Sequence, residues 1–356
     1  MRLVVISMTI ATIVTLIGTP LLIKLLARHG YSQAIRVSTE GELYPDHESK
    51  RGTPSMGGVA IILGVVVGYF LTHLLTWRPV TPSAMLVLYL TLGLGLVGVA
   101  DDYLKIFKQR STGLRARTKL IGQAVIALSF AWLSLQFVND GGAPASMAIS
   151  FVRDTAIVLP LGLFLLWIWF LITATTNGVN LTDGLDGLAI GASIMTFLAY
   201  VIITVWQYGQ NCAFSDSVSS TCYSTVSPLD LAIVAAALAG ASFGFLWWNT
   251  APARIFMGDT GSLALGGGIA GLAILSRTEL LLPLLAGLFL ITSLSVIGQV
   301  GSFKLTGRRI FRMAPLHHHF EMLGWPEIQI VVRFWIIHGL CIGAGIVLFY
   351  AEWVRS

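Results

Sequence analysis

Ten long apolar runs, separated by polar loops, set the pattern of this chain. Each has about the length that a helix needs to cross the hydrocarbon core of a bilayer, roughly 20 residues. The runs lie at residues 3–26, 56–76, 83–100, 119–138, 156–175, 187–208, 229–248, 261–277, 281–302 and 330–351. We therefore predict an all-α polytopic membrane protein with about ten transmembrane helices, folded as a single domain over residues 1–356.

The composition agrees with a membrane protein, since 55% of the residues are hydrophobic and 11% are charged. Soluble domains carry about 25% charged residues, so too little charge is left here to cover a water-exposed surface. The run at 3–26 is too long for a signal peptide, and no small-residue cleavage site follows it. We take it as the first span. The net charge of +5 is informative through its distribution between loops, and we expect no nucleic acid partner.

The basic residues lie mainly in alternate loops. If successive spans run in opposite directions, one face of the membrane receives about three times as many loop arginines and lysines as the other. Basic residues mark the cytoplasmic side. We therefore expect both termini to lie on the periplasmic or extracellular side. The cytoplasmic loops are then those near 27–55, 101–118, 176–186, 249–260 and 303–329.

Three acidic stretches, 101–105, 177–187 and 258–262, all fall on this predicted cytoplasmic face. Asp101 and Asp102 end the third span, and Lys105 follows one helical turn after Asp101. Adjacent carboxylates repel each other unless a cation is near, and a hard dication such as Mg²⁺ takes oxygen ligands. The alternative is a solvated helix end.

The stretch at 177–187 carries carboxylates, amides and a hydroxyl between two apolar runs. Asp183 and Asp186 are three residues apart, so they share a face if this segment is helical, and Asn180 adds an amide. The alternative is a helix cap, with Thr182 or Asp183 as N-cap of the sixth span. A cap would explain only one of these polar groups.

Asp259 lies between Gly258 and Thr260, just before the eighth span. Glycines and a helix N-terminus suit an anion, and a carboxylate there suits a metal ion that bridges to the anion. The alternative is again an N-cap. Upstream, Asn249 ends a Trp-Trp-Asn sequence typical of a membrane interface, and Phe256 could stack on a base.

Four other features are polar or reactive. His317, His318 and His319 suggest zinc or phosphate contacts, although three consecutive side chains of a helix cannot all face one metal; a plain polar loop is the alternative. The segment 50–58, which begins with Lys50, has basic residues, hydroxyls and glycines but lacks the Walker pattern.

Cys212 and Cys222 share an outside loop, either as a disulfide or as two thiols. Cys341 lies in an apolar run, where we expect it to be core.

Together, the stretches 50–58, 180–187, 256–262 and 315–321 resemble the motifs of the polyprenyl-phosphate N-acetylhexosamine-1-phosphate transferase superfamily. The triple histidine favours the branch that uses UDP-MurNAc-pentapeptide over relatives that transfer N-acetylglucosamine phosphate. The resemblance implies transfer of phospho-MurNAc-pentapeptide to undecaprenyl phosphate, which yields lipid I and UMP. It also implies Mg²⁺ as cofactor, the lipid bilayer of the bacterial cytoplasmic membrane as location, and a homodimer.

The resemblance also implies roles for individual residues. Asp101 and Asp102 would act at the reacting phosphates, with Asp259 as the chief Mg²⁺ ligand and the other two as further candidates. Asp186, Asn249 and Phe256 would hold the uridine part. The remaining site residues would line the site or contact phosphates: His317, implied to be catalytic, with Asn180, Asp183, His318, Lys50, Lys105 and Lys119.

Two mechanisms stay open for this reaction. The lipid phosphate attacks the nucleotide β-phosphate directly, with Asp101 removing any residual proton, or an aspartate attacks first and forms a covalent intermediate. A transporter is the alternative from another class, because polar residues within spans mark substrate paths. A transporter site should lie near the bilayer midplane, whereas these aspartates lie at span ends on one face.

Overall fold

The computed structural model describes residues 1–28, 50, 52–107, 113–138, 142–212 and 222–355. Arg51 of the 50–58 segment, much of the loop near 27–55 and the middle of the cysteine loop lie outside the described residues. In chain order the elements are α1 (Arg2–Arg28), α2 (Gly58–Thr76), α3 (Pro82–Phe107), α4 (Ala116–Leu133), β1 (Ala148–Ser150), β2 (Asp154–Val158), α5 (Leu161–Thr182), α6 (Leu188–Gly209), α7 (Pro228–Asn249), α8 (Gly258–Leu275), a 3-10 turn (Glu279–Leu281), α9 (Leu282–Leu285), α10 (Gly287–Thr306), α11 (Leu316–Glu321) and α12 (Glu327–Arg355).

The prediction of an all-α polytopic membrane protein is confirmed. Among the described residues, nine helices are long and apolar enough to cross a membrane: α1, α2, α3, α5, α6, α7, α8, α10 and α12. The tenth long helix, α4, is less apolar because Arg117 and Lys119 lie in its first turn and Gln123 follows one turn later.

Several predicted span boundaries are wrong. The third span continues to Phe107, and the fifth runs over Leu161–Thr182 and not over 156–175, because 154–158 pairs with 148–150 as an antiparallel hairpin. An apolar run shows where side chains avoid water, and not where a helix ends. At the site end of the bundle, helices continue through polar residues that contact other helices.

The fourth and ninth spans also differ from prediction. The fourth ends at Leu133, so 134–138 is not helical. The ninth span begins at Gly287, since the residues before it form the 3-10 turn and α9. Pro283 lies in the first turn of α9, where proline is well tolerated, so a separate short helix forms within the apolar run.

Helix α8 forms the centre of the bundle, where it contacts α2, α3, α5, α6 and α7. Every residue from Thr260 to Leu275 is buried. Glycines allow the backbones to touch: a Cβ on Gly98 of α3 would lie 2.2 Å from the carbonyl oxygen of Asp259. Small residues at such contacts let membrane helices pack closely. The start of α8 is therefore held directly against α3.

The other end of the bundle carries the β-hairpin and a disulfide between Cys212 and Cys222. Of the two alternatives for these cysteines, the structure has the bonded one. Glu279 accepts hydrogen bonds from the Ser150 N–H (3.2 Å) and from Trp167 Nε1 (3.1 Å), and so ties the hairpin to α5. Burial raises the pKa of Glu279 to about 7.

Candidate active site

Asp102 caps helix α8 from a neighbouring helix. Its carboxylate accepts hydrogen bonds from the N–H groups of Asp259 (3.1 Å) and Thr260 (2.9 Å) and from the Thr260 hydroxyl (2.7 Å). The N–H groups in the first turn of a helix have no partner within the helix. Asp102 supplies partners for two of them while it is 3% exposed, and it thereby fixes Asp259 beside α3.

Asp259 itself does not cap α8, so the N-cap alternative is wrong. The N-cap position is Met257, whose own side chain makes no capping hydrogen bond. The Asp259 carboxylate instead lies 3.0 Å from Lys105 Nζ and 2.5 Å from Lys119 Nζ. It also accepts a hydrogen bond from Asn180 Nδ2 at 3.0 Å. Two ammonium groups from α3 and α4 and one amide from α5 therefore converge on this carboxylate.

Asp101 lies next to this group. Its Oδ2 lies 2.6 Å from Lys105 Nζ, and its Oδ1 accepts a hydrogen bond from the Leu114 N–H at 2.8 Å. The side chain is buried, so the alternative of a solvated helix end is wrong. We call Asp101, Asp102, Asp259, Lys105, Lys119 and Asn180 the carboxylate cluster.

The carboxylate cluster fits a divalent cation. Asp101, Asp102 and Asp259 each offer an oxygen, and these oxygens lie within 4.8 Å of one another. No other group of histidine, cysteine or acidic side chains in the described parts of the chain meets this condition. Three carboxylates face two lysines, which leaves a negative charge, and oxygen ligands suit Mg²⁺. Asp102 is bonded to the first turn of α8, whereas Asp101 and Asp259 pair mainly with lysine side chains, which a bound cation would displace.

A turn at 183–187 connects α5 to α6, so the predicted helical face shared by Asp183 and Asp186 is wrong. The N-cap alternative is wrong as well, because Thr182 ends α5 and Gly187, with φ +81°, precedes α6. Burial, followed by the negative charges of Asp259 and Asp102, raises the pKa of Asp183 to about 8. The Asp183 carboxyl therefore favours its protonated form more than an ordinary aspartate does.

The histidine segment packs against this turn. It forms the short helix α11 and not a loop, and His317 is fully buried. A Cβ on Gly184 would lie 2.3 Å from His317 Nε2 and 3.1 Å from His318 Nε2. His319 points elsewhere, because its Nδ1 accepts a hydrogen bond from the Arg312 N–H at 3.1 Å. Only two of the three histidines therefore face the site.

Asp186 and Asn249 organise the next part of the site. The Asp186 Oδ2 accepts a hydrogen bond from the Ala253 N–H (2.9 Å), and Asn249 Oδ1 accepts one from the Gly187 N–H (3.2 Å). Asn249 Nδ2 donates to the Ile255 carbonyl at 2.9 Å. These bonds join the turn at 183–187 to the loop that follows α7.

Phe256 ends that loop beside the 50–58 segment. Its N–H donates to the Pro54 carbonyl (2.8 Å), and its carbonyl accepts from the Gly57 N–H (2.9 Å). The ring is only partly buried, so one side of it can contact a ligand.

Lys50 also reaches this region. Its Nζ lies 2.8 Å from Asp186 Oδ1 and 2.6 Å from Glu327 Oε1. Burial alone would lower the pKa of Lys50, but hydrogen bonds and attraction from the two carboxylates outweigh it and raise that pKa. We call Lys50, Asp186, Asn249, Phe256 and Glu327 the Asp186 cluster.

Sequence reasoning missed Glu327. It is the first residue of α12, where an acidic side chain is common because it complements the helix dipole. No local signal separates that ordinary role from a pairing with residues far away in the chain. All of the predicted site residues lie in the carboxylate cluster, in the Asp186 cluster, or in the turn at 183–187 and the α11 helix that packs against it.

Comparisons with known proteins identify the family of this chain. Residues 84–277 match the family model of glycosyl transferase family 4, and residues 50–62 match phospho-N-acetylmuramoyl-pentapeptide-transferase signature 1. A relative from Streptomyces griseus named phospho-N-acetylmuramoyl-pentapeptide-transferase is 57% identical and covers 100% of both chains. Relatives of the same name from Streptomyces coelicolor (56% identical, 98% of this chain and 97% of the relative) and Frankia alni (54%, 99% of each) match similarly. The chain therefore belongs to the phospho-N-acetylmuramoyl-pentapeptide-transferase family, within glycosyl transferase family 4.

Proposed function

We propose that this protein transfers phospho-MurNAc-pentapeptide from UDP-MurNAc-pentapeptide to undecaprenyl phosphate, and that it releases UMP and forms lipid I. The observation that carries the proposal is the convergence of Asp101, Asp102 and Asp259 with Lys105 and Lys119 at the ends of membrane helices. Both substrates carry phosphates, one on a lipid and one on a soluble nucleotide. A site at the membrane boundary is where the two can meet.

We propose Mg²⁺ as the cofactor, held chiefly by Asp259 with Asp101 beside it. The ion would neutralise charge on the pyrophosphate and help to align it. Asn180 supports this role of Asp259, because its amide donates to Asp259 and to Ser262 Oγ (2.8 Å) and so holds the carboxylate in place. Lys105 and Lys119 add two positive charges for the phosphates.

We further propose direct attack by the lipid phosphate. An oxygen of that phosphate forms a bond to the β-phosphorus of the nucleotide, and the bond from that phosphorus to the oxygen of UMP breaks. A phosphate monoester has its second pKa near about 6, so the attacking group is already mostly ionised at neutral pH. Asp101 then has only a residual proton to remove. The three hydrogen bonds that Asp102 accepts make it a poor nucleophile, which argues against a covalent intermediate on Asp102.

The decisive test is UMP release by the purified protein in detergent, with both substrates and with either Mg²⁺ or EDTA. We expect release that requires Mg²⁺ and is lost in Asp259→Ala. Asp154→Asn removes a carboxylate from the hairpin at the far end of the bundle and should leave release intact. Release with UDP-N-acetylglucosamine in place of the muramoyl donor would overturn the proposed donor. No release with either donor from folded protein would favour a transporter.

A separate exchange assay tests the mechanism. Direct attack predicts that labelled UMP does not enter UDP-MurNAc-pentapeptide unless undecaprenyl phosphate is present. Exchange in the absence of the lipid phosphate would show a covalent intermediate and contradict the proposal.

We propose the bacterial cytoplasmic membrane as the location, with the site on the cytoplasmic side, and a homodimer as the assembly. The location is supported by the disulfide, since such bonds persist in oxidising compartments and this one lies at the opposite end of α6 from the turn at 183–187. The homodimer rests on the family resemblance. Light scattering of the detergent-solubilised protein after gel filtration should give twice the mass of the chain.

A further inference from the structure

We propose that Glu327 is a positioning residue that holds the nucleotide-binding side of the active site in shape. This inference rests on the proposed function, because it takes the Asp186 cluster as the place where the uridine part binds. Glu327 does not touch the carboxylate cluster in the structure, and we assign it no part in the chemical step.

One oxygen of Glu327 holds two donors that belong to distant parts of the chain. Glu327 Oε1 lies 2.6 Å from Lys50 Nζ and accepts a hydrogen bond from the Asp186 N–H at 2.7 Å. Lys50 Nζ closes the arrangement through Asp186 Oδ1 at 2.8 Å. Loss of Glu327 would therefore release the Lys50 ammonium and the backbone of the turn together.

The arrangement matters because Asp186 is almost completely buried. Its side chain is 3% exposed, against 16% for Lys50 and 22% for Glu327. A buried carboxylate is costly unless it is paired and hydrogen-bonded. Asp186 pairs one oxygen with Lys50 and the other with the Ala253 N–H. Each oxygen keeps a second lone pair, which can accept a hydrogen bond from the nucleobase of the substrate. The direction of those lone pairs depends on the bonds that Glu327 makes.

Glu327 also connects the turn to the histidine segment. It opens α12 only a short distance after α11, the helix that carries His317. Helix α12 contacts the start of α6 through Trp335, whose Nε1 donates to the Leu188 carbonyl at 3.2 Å. A Cβ on Gly191 would lie 2.2 Å from that indole ring. Glu327 and Trp335 thus hold α12 against Asp186 and against the start of α6 that directly follows it.

Steady-state kinetics on Glu327→Gln and Glu327→Ala test this role. Glutamine keeps an oxygen acceptor for the Asp186 N–H but loses the charge that pairs with Lys50, whereas alanine loses both. We expect the KM for UDP-MurNAc-pentapeptide to rise about threefold in Glu327→Gln and about tenfold or more in Glu327→Ala. The kcat should fall by less than about threefold, and the KM for undecaprenyl phosphate should stay unchanged.

The matched control is Gln329→Ala, an exposed residue in the same first turn of α12. It should leave both KM values unchanged. Calorimetric titration of UMP into the purified variants gives a readout that does not depend on turnover. The Kd for UMP should weaken by the same factor as the nucleotide KM, since a positioning role acts on binding.

Two results would overturn the inference. One is a nucleotide KM and a UMP Kd within about twofold of the unchanged protein in both variants. The other is a fall in kcat and in thermal stability with no change in KM, which is the signature of a purely structural role. If Glu327→Ala does not fold, Glu327→Gln decides by the same criteria. Failure of the unchanged protein to release UMP would instead contradict the proposed function, so the two failures are distinguishable.

Discussion

Asp101 and Asp102 are adjacent and chemically identical, yet their surroundings differ. Asp102 accepts three hydrogen bonds from the first turn of α8, where the helix dipole also favours a negative charge. Asp101 accepts one backbone hydrogen bond and pairs with Lys105. The Asp102 carboxylate therefore holds α8 against α3, and the Asp101 carboxylate is freer to contact a substrate or an ion.

This difference predicts that the two carboxylates separate stability from activity. In Asp102→Asn the amide turns a donor toward the α8 N–H groups and removes the charge, so the free energy of unfolding should fall by about 2–4 kcal/mol. Asp101→Asn should lower the melting temperature much less than Asp102→Asn does. It should lower the rate of UMP release at least as strongly as Asp102→Asn does. Thermal melts and UMP release by both variants check this. An equal loss of stability in the two variants would contradict the assignment.

At the scale of the elements, the position of the site depends on backbone contact between helices. Gly98 has no side chain where α3 meets the first turn of α8, and the nearest atoms there are backbone atoms of Asp259 and Thr260. Backbone cannot move aside as the end of a flexible side chain can. The distance between Asp102 and Asp259 is thus set by a glycine one turn before the aspartates.

Gly98→Ala should therefore push α3 away from α8. We expect a loss of about 1–3 kcal/mol in the free energy of unfolding and nearly complete loss of UMP release. Gly343→Ala is the control, because this helical glycine of α12 has nothing within 4 Å of the added Cβ. It should leave stability unchanged or raise it by up to about 1 kcal/mol. Similar melting temperatures and activities for the two variants would show that the contact at Gly98 is not critical.

The sequence allowed the spans and the site to be predicted because both leave a one-dimensional signal. Long apolar runs identify the helices, and acidic stretches at their ends identify the site. The last turns of α5 left no such signal, because Asn177 there faces α4 and donates to Gln123 Oε1 at 3.2 Å instead of facing lipid. Glu327 was missed for a similar reason: its partners are 141 and 277 residues away in the chain.

At the scale of the whole molecule, the bundle has two chemically different ends. The carboxylate cluster and the Asp186 cluster lie at one end, and α6 and α7 lead from there to the loop that holds the Cys212–Cys222 disulfide. The described basic residues Lys50, Lys105 and Lys119 lie at the first end. A reducing compartment suits that end and an oxidising compartment suits the other, so charge and cysteine chemistry indicate the same orientation independently.

Labelling with a membrane-impermeant maleimide tests this orientation in intact cells. After reduction with an impermeant phosphine, Cys212 and Cys222 should react from outside. A cysteine introduced as Lys304→Cys at the exposed end of α10, with the native cysteines replaced by serine, should react only after the membrane is made permeable. Retained UMP release confirms that this variant is folded. The reverse pattern would place the carboxylate cluster on the outer side, away from the soluble nucleotide donor, and would contradict both the orientation and the proposed reaction.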